Sequence, residues 1–253
     1  MSLPEIRRLL KAAEATWPPA ARKAAGPFVI REGLGGGQRV SAATLDGEPA
    51  ENDELPAHIG AAEEAMRALG QEPLFMIRPQ DLRLDAALAG RGYGIKDPVN
   101  ILAAPVDALA EPLPPVSAFS IWPPLAIMCE LWDEGGIGPA RRAVMERACR
   151  PKTAILARSC DRAAGVAFAA IHEGIAMVHA LEVTPALRRQ GVGRNIMHHA
   201  ANWARKEGAT HLAVLVTKAN AAAGRLYASL GMEIVGEYHY RVQQGETRAD
   251  GEE

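Results

Sequence analysis

The sequence predicts a mixed α/β (α+β) protein, a mostly antiparallel central sheet flanked by helices, with a second, smaller α/β half at the N-terminus. Three observations predict it. Residues 153–183 hold three short apolar runs of period two separated by turn-forming segments, SCDRAAG and HEG, which makes an antiparallel meander. After Pro185 the apolar period changes to 3.6, and an apolar run, a second amphipathic stretch and a last strand-like run follow. The same order of strand, helix and strand recurs in the first half at an offset of 139 residues, with Leu88 under Tyr227. A chain of 253 residues, 48% hydrophobic and 23% charged, is long enough for one large domain or two of ordinary size.

The elements follow in order. In the first half, FVIRE and VSAATL read as strands, and the intervening GLGGGQR, Gly33 to Arg39, as a hairpin turn. Leu55 to Leu69 reads as a helix that falls under Arg194 to Gly208, and PLFMIRPQD at Pro73–Asp81 falls under LAVLVTKAN at Leu212–Asn220. Pro105, Pro112, Pro114 and Pro115 interrupt every periodicity, so the segment 106–116 is predicted to be a linker between a first unit, 1–105, and a second, 117–242. Leu125 to Cys149 is helical material broken around Gly135–Pro139. Downstream of the meander, Val192, Ile196, Ala200, Trp203 and Ala204 share one helical face that ends at Gly208. HLAVLVT suits a strand buried on both faces. Asn220 can cap a helix carrying Ala223, Leu226, Tyr227 and Leu230, stopped by Gly231, and IVGEYHYRV is the closing strand. The polar tail 243–253 has no periodic apolar face and is predicted to be disordered.

Composition narrows the function classes. Twenty-eight Lys and Arg against thirty Asp and Glu give a net charge of -2, so the broad attraction behind non-specific nucleic-acid binding is missing. Cys129, Cys149 and Cys160 cannot all pair and lack zinc-ligand spacing, so they read as reduced thiols and no metal is expected. The opening MSLPEIRRLLKAAEATWPP mixes charge through its apolar residues, unlike a secretion signal, and no apolar run reaches membrane-spanning length. The expectation is a cytoplasmic protein with no membrane or nucleic-acid partner.

The chemistry concentrates in LEVTPALRRQGVGR, Leu181–Arg194, which joins a strand end to a helix start. Gly191 and Gly193 let the backbone turn tightly and let a ligand approach main-chain N–H groups. The first N–H groups of a helix have no partner within it and lie at the positive end of its dipole, and Arg188, Arg189 and Arg194 add charge there. Such a place suits a pyrophosphate or similar polyanion. It is not a dinucleotide fingerprint, since the third glycine is absent, and it lacks a P-loop lysine.

The hexapeptide Arg188-Arg189-Gln190-Gly191-Val192-Gly193, the preceding LEVTP, and NAAAGRLYASLGM at Asn220–Met232 resemble the coenzyme A loop and the asparagine, leucine-tyrosine and glycine signature of the GCN5-related N-acetyltransferases (GNAT). The resemblance is good from about Leu125 to Val242 and weak over the first half. Met232 departs from the usual Phe, a conservative packing change. The resemblance implies the GNAT fold, acetyl-CoA as cosubstrate, and a cleft where two strands part. It implies cofactor binding by the backbone of Leu181, Glu182 and Val183, by Arg188, Arg189, Gln190, Gly191, Val192, Gly193 and Arg194, and by Asn220 near the sulfur end. It further implies direct acetyl transfer to a neutral amine, a main-chain N–H at the oxyanion, and Tyr227 as the acid for the departing thiolate. Some relatives carry a glutamate five residues before the asparagine, where Leu215 stands here. Glu182 is the substitute base, with His179 as runner-up; strict alternation groups Glu182 with Ala180 and Val178, and His179 with Leu181. His198 and His199 are expected to be partly exposed and have no role.

At the same offset the loop falls over PAENDE, Pro49–Glu54, acidic and without glycine, so the first half is read as a degenerate repeat that binds no coenzyme A and serves a structural or substrate-shaping role. The favoured function is an N-acetyltransferase acting on a primary amine, with a small molecule or a peptide as acceptor. The alternative is a non-catalytic acyl-CoA-binding regulatory module.

Overall fold

The computed structural model describes residues 2–47 and 54–243. The polar tail beyond Gln243 and most of PAENDE lie outside the described residues. The first half contains α1 (Ile6–Thr16), β1 (Ala21–Ala25), β2 (Phe28–Glu32), β3 (Thr44–Leu45), α2 (Leu55–Ala68), β4 (Leu74–Ile77), α3 (Leu82–Gly90) and β5 (Tyr93–Pro105). The second half contains α4 (Val106–Leu109), β6 (Ala118–Ile121), α5 (Ala126–Glu134), α6 (Pro139–Arg147), β7 (Lys152–Ser159), β8 (Arg162–His172), β9 (Ile175–Val183), α7 (Val192–Lys206), β10 (His211–Thr217), α8 (Ala221–Ser229) and β11 (Glu233–Gln243).

The three period-two runs become β7, β8 and β9 of an antiparallel meander to which β6, outside those runs, adds an edge strand, and β10 joins it parallel to β9. One face of this sheet is covered by α7, whose stripe Val192, Ile196, Ala200 and Ala204 packs on Ala176, Val178 and Val214. The other face is covered by α1, through Leu9, Ala12 and Ala13 against Ile175, Met177 and Ala213, and by α5 and α6. The Gly135–Pro139 break separates α5 from α6, and Arg142 spans it by donating to the Ile137 carbonyl at 3.2 Å and pairing with Asp133.

The two halves share strands. The large sheet runs β4-β11-β5-β10-β9-β8-β7-β6, so β5 of the first half lies between β10 and β11 of the second, and β11 lies between β4 and β5 of the first. Each half therefore closes its strand-helix-strand end around the last strand of the other. The smaller sheet β1-β2-β3 continues beyond β4 through a bridge between Ala43 and Phe75. The segment after Pro105 begins with the short helix α4, whose Val106 and Leu109 are buried against α7.

Candidate active site

The site begins where β9 and β10 part. Their parallel pairing runs from Ile175 and His211 to Val178 and Val214 and stops there. The cause is a bulge on β9. Ala180 has φ +51°, and the register against β8 shifts between Val166 and Phe168. A side-chain-bearing residue in the left-handed region is unfavourable, and such strain is held by its surroundings. Here Trp132 on α5 donates its indole N–H to the Ala180 carbonyl at 2.8 Å.

The bulge also breaks the alternation expected from sequence. Val178, Leu181 and Val183 all pack toward α7, while His179 and Ala180 join the opposite core with Trp17 and Trp132. Glu182 faces that same side, its carboxylate Oε2 3.2 Å from where a β-carbon on Gly135 would stand. The grouping of Glu182 with Val178 is thus corrected: one inserted residue reverses the faces beyond it.

At the mouth of the cleft the loop folds as the glycines require. Arg189 has φ +61° and Gly191 φ +82°; Gly191 is the N-cap of α7, and a β-carbon there would meet no protein atom within 4 Å. Gly193 serves packing, since its β-carbon would stand 3.0 Å from Leu226 Cδ2 on α8. Arg188 donates from Nε to the Val183 carbonyl at 3.0 Å, Gln190 from Nε2 to the Ala186 carbonyl at 3.4 Å, and Arg194 to Ser229 Oγ at 3.1 Å. The first turn of α7 carries no acidic residue. An exposed helix start with a bare glycine before it fits a polyanionic pyrophosphate.

Asn220 caps α8, its Oδ1 accepting from the Ala223 N–H at 3.1 Å. Tyr227, buried on the same helix, has its hydroxyl pushed up to about 12 by burial and by the Glu182 charge. Burial raises the Glu182 carboxyl, with Arg188 and Arg141 opposing. His179 is unsuited to be the base. It is fully enclosed and held neutral by burial and by Arg39 and Arg141. Its Nε2 lies 2.8 Å from Thr16 Oγ1, which itself donates to the Ala12 carbonyl, so Nε2 is assigned as the protonated nitrogen and Nδ1 accepts from Arg39 at 3.2 Å. His198 is likewise not exposed: it is buried, 2.7 Å from the Leu109 carbonyl, and His199 lies 2.9 Å from Ser120 Oγ. The pair fastens the segment after Pro105 and strand β6 to α7.

Two residues escaped the sequence reading, Arg39 and Arg141. Arg39 follows the glycine run, whose role is close approach: a β-carbon at Gly36 would stand 2.5 Å from Val144 Cγ2 on α6. The connection between β2 and β3 is thus a long loop packed on the second half, rather than a tight hairpin turn. A cavity of 1560 Å³ in the first half, lined by α1, β3 and β4, is bordered by Arg39 and Trp17. Among the described residues no cluster of three or more His, Cys, Asp or Glu could hold a metal, and no helix is long and apolar enough to cross a membrane.

A parallel strand pair that parts halfway, with a glycine-led helix start at its mouth, is the cleft of an acyltransferase class. Residues 125–232 match the model of the Acetyltransferase (GNAT) family, which places a GNAT domain in the second half of the chain. The whole chain is 24% identical over 250 residues to an uncharacterized N-acetyltransferase, YobR, of Bacillus subtilis, covering 95% of this chain and 99% of the relative. An aminoglycoside N(6')-acetyltransferase of Klebsiella aerogenes is 28% identical over 120 residues, 42% of this chain and 79% of the relative. A streptothricin acetyltransferase of Streptomyces lavendulae is 45% identical over 56 residues, 22% of this chain and 30% of its own length. The fold is shared with a GCN5-related N-acetyltransferase from Kribbella flavida (TM-score 0.75, 21% identity, 98% and 99% covered). It is shared too with a tandem GNAT protein from the clavulanic acid biosynthesis pathway (TM-score 0.59, 14% identity, 92% and 86% covered), a neighbour with the same two-half architecture.

Proposed function

We propose that the chain is an N-acetyltransferase that moves acetyl from acetyl-CoA to a primary amine, with one cofactor site, in the second half. The parting of β9 from β10 at Val178, with the Gly191 turn at its mouth, carries this reading. The backbone of Leu181, Glu182 and Val183 would hold the pantetheine arm, and the amides from Arg189 to Arg194 the pyrophosphate. When bound, acetyl-CoA supplies the activated acyl group and a thiolate leaving group. Glu182 takes the proton of the attacking amine, directly or through water; its burial makes it a stronger base than an exposed glutamate. Tyr227, protonated at any physiological pH, donates from its hydroxyl to the departing sulfur. A β9 main-chain N–H beside the bulge meets the negative charge that develops on the acyl oxygen. The three free cysteines are compatible with the reducing cytoplasm in which we place the protein.

Acetyl-CoA-dependent thiol release with a panel of amines tests the reading, and streptothricin and aminoglycosides, suggested by the relatives' names, belong in it beside amino acids. Leu215, where some GNAT enzymes place their base, favours a second reading, a non-catalytic acyl-CoA-binding module. Tight acetyl-CoA binding without turnover on the whole panel would support that module.

A further inference from the structure

Two guanidinium groups stand on the Glu182 side of β9 with no carboxylate paired to either. Arg39, delivered by the glycine loop of the first half, donates to His179 Nδ1 and lies with Cζ 5.8 Å from the centroid of the Trp17 ring. Arg141 comes from α6, its Nε 4.0 Å from where Gly37 would carry a β-carbon. Neither forms an ion pair among the described residues, and the Nε of each is buried without a hydrogen-bond partner. The similarly half-buried Arg78 and the buried Arg31 differ, being paired with Asp46 and Asp81 and with Glu14.

Two half-buried like charges beside each other are unfavourable unless an anion offsets them. Burial and then Arg39 hold the Arg141 guanidinium below its ordinary range, with Glu182 opposing them. His179 is held neutral, and Arg188, which also faces Glu182, belongs to the loop that would hold the pyrophosphate, so Arg39 and Arg141 against an ionised Glu182 leave about one positive charge for the acceptor. A monoanion balances it, whereas a phosphate monoester of nearly two charges overshoots. A planar carboxylate also matches the guanidinium fork.

We propose that the acceptor is an amine that also carries a carboxylate, an amino acid in the chemical sense, held at its carboxylate by Arg39 and Arg141 while Glu182 faces its amino group. This rests on the N-acetyltransferase reading of the same site. In this arrangement the first half completes the acceptor site, because Arg39 comes from it. A polyamine, by contrast, would bring cations to a place already positive.

The test measures binding, so that it does not depend on turnover. Full-length protein loaded with coenzyme A is titrated calorimetrically with the set of N-acetyl amino acids, with the matching N-acetyl amino acid amides, and with N-acetylspermidine and N-acetylphosphoethanolamine. At least one acid is expected to bind about 10- to 100-fold more tightly than its amide, the range of a charge-assisted hydrogen bond in a buried site. In R141Q, and separately in R39Q, the ratio of acid to amide is expected to fall toward one. If no acid binds, if acid and amide bind alike, or if the spermidine or phosphate compound binds best, the proposal is overturned. A normal ratio of acid to amide in folded R141Q and R39Q overturns it too. Thiol release with the free amino acids is scored separately: acid-selective binding without turnover would fail the enzyme reading and keep the acceptor assignment.

Discussion

At residue scale, Gly191 is the strictest position in the loop. With φ +82° and open space where a side chain would project, Gly191→Glu adds left-handed strain of about 1–2 kcal/mol and a negative charge where a pyrophosphate would sit. Acetyl-CoA binding by calorimetry should disappear while the far-ultraviolet spectrum is retained; a folded variant with unchanged affinity would remove the loop from the site. Tyr227→Phe keeps the ring that packs under α7 and removes only the hydroxyl. The maximal rate at saturating acetyl-CoA should fall about 100-fold, the low end for general acid catalysis because a thiol is already a fair leaving group. The pH dependence belongs to Glu182. Its carboxyl is raised by burial and must be ionised to accept a proton, so kcat/KM should climb with pH through a midpoint above the ordinary glutamate value of 4.5. Glu182→Gln should abolish that rise; a climb unchanged in the variant would assign the base elsewhere.

At element scale, the cleft depends on the β9 bulge, and the bulge on α5. Trp132→Phe retains most of the ring and removes the N–H bonded to the Ala180 carbonyl. A buried acceptor left without a donor costs about 1–3 kcal/mol. The thermal midpoint should drop accordingly, and the acceptor KM should rise more than the acetyl-CoA Kd, since the bond lies on the acceptor side of β9. Helices α7 and α8 were readable because their signals are local: an apolar stripe, Asn220 as cap, Gly208 and Gly231 as stops. The bulge was not, because Ala180 is an ordinary strand residue whose left-handed backbone is imposed by Trp132, forty-eight positions away.

At the scale of the whole molecule, the exchange of β5 and β11 makes the halves interdependent. A chain beginning at Val116 lacks β5 and so leaves β10 and β11 without their shared neighbour; it should unfold without a cooperative transition in a thermal melt, unlike the full chain. Asp85 on α3 accepts from Arg241 at 2.7 Å and lies 2.9 Å from His239, fastening β11 to the first half. The Arg241 hydrogen bond, then His239, hold the Asp85 carboxyl below its ordinary 3.8. A depressed carboxylate stabilises the fold above its unfolded value and loses that contribution as pH falls below about 4. Asp85→Asn should therefore lower stability by about 1 kcal/mol at neutral pH and by progressively less in acid, read from denaturant midpoints. One acetyl-CoA per chain is expected. In the first half Arg78 already bonds the Leu45 carbonyl at 2.5 Å, Asp46 at 2.8 Å and Asp81 at 2.8 Å, where the offset of 139 places the counterpart of the cofactor cleft. Calorimetry showing two sites would refute this.

The sequence by itself determined the order of elements, the glycine turn before α7, the Asn220 cap and the family resemblance of the second half. All of these rest on contacts within a few residues of each other, where spacing and residue type decide the outcome. Tertiary structure alone decided which strand lies beside which. β5 and β11 carry similar apolar patterns, and nothing local distinguishes pairing with one's own half from pairing with the other. It alone turned Glu182 toward Gly135, buried His179 and His198 as fasteners between elements, and brought Arg39 across from the first half to within reach of His179 on β9. Those outcomes depend on groups far apart in the chain whose charges and volumes must be satisfied together, and that requirement is not written in any one stretch of sequence.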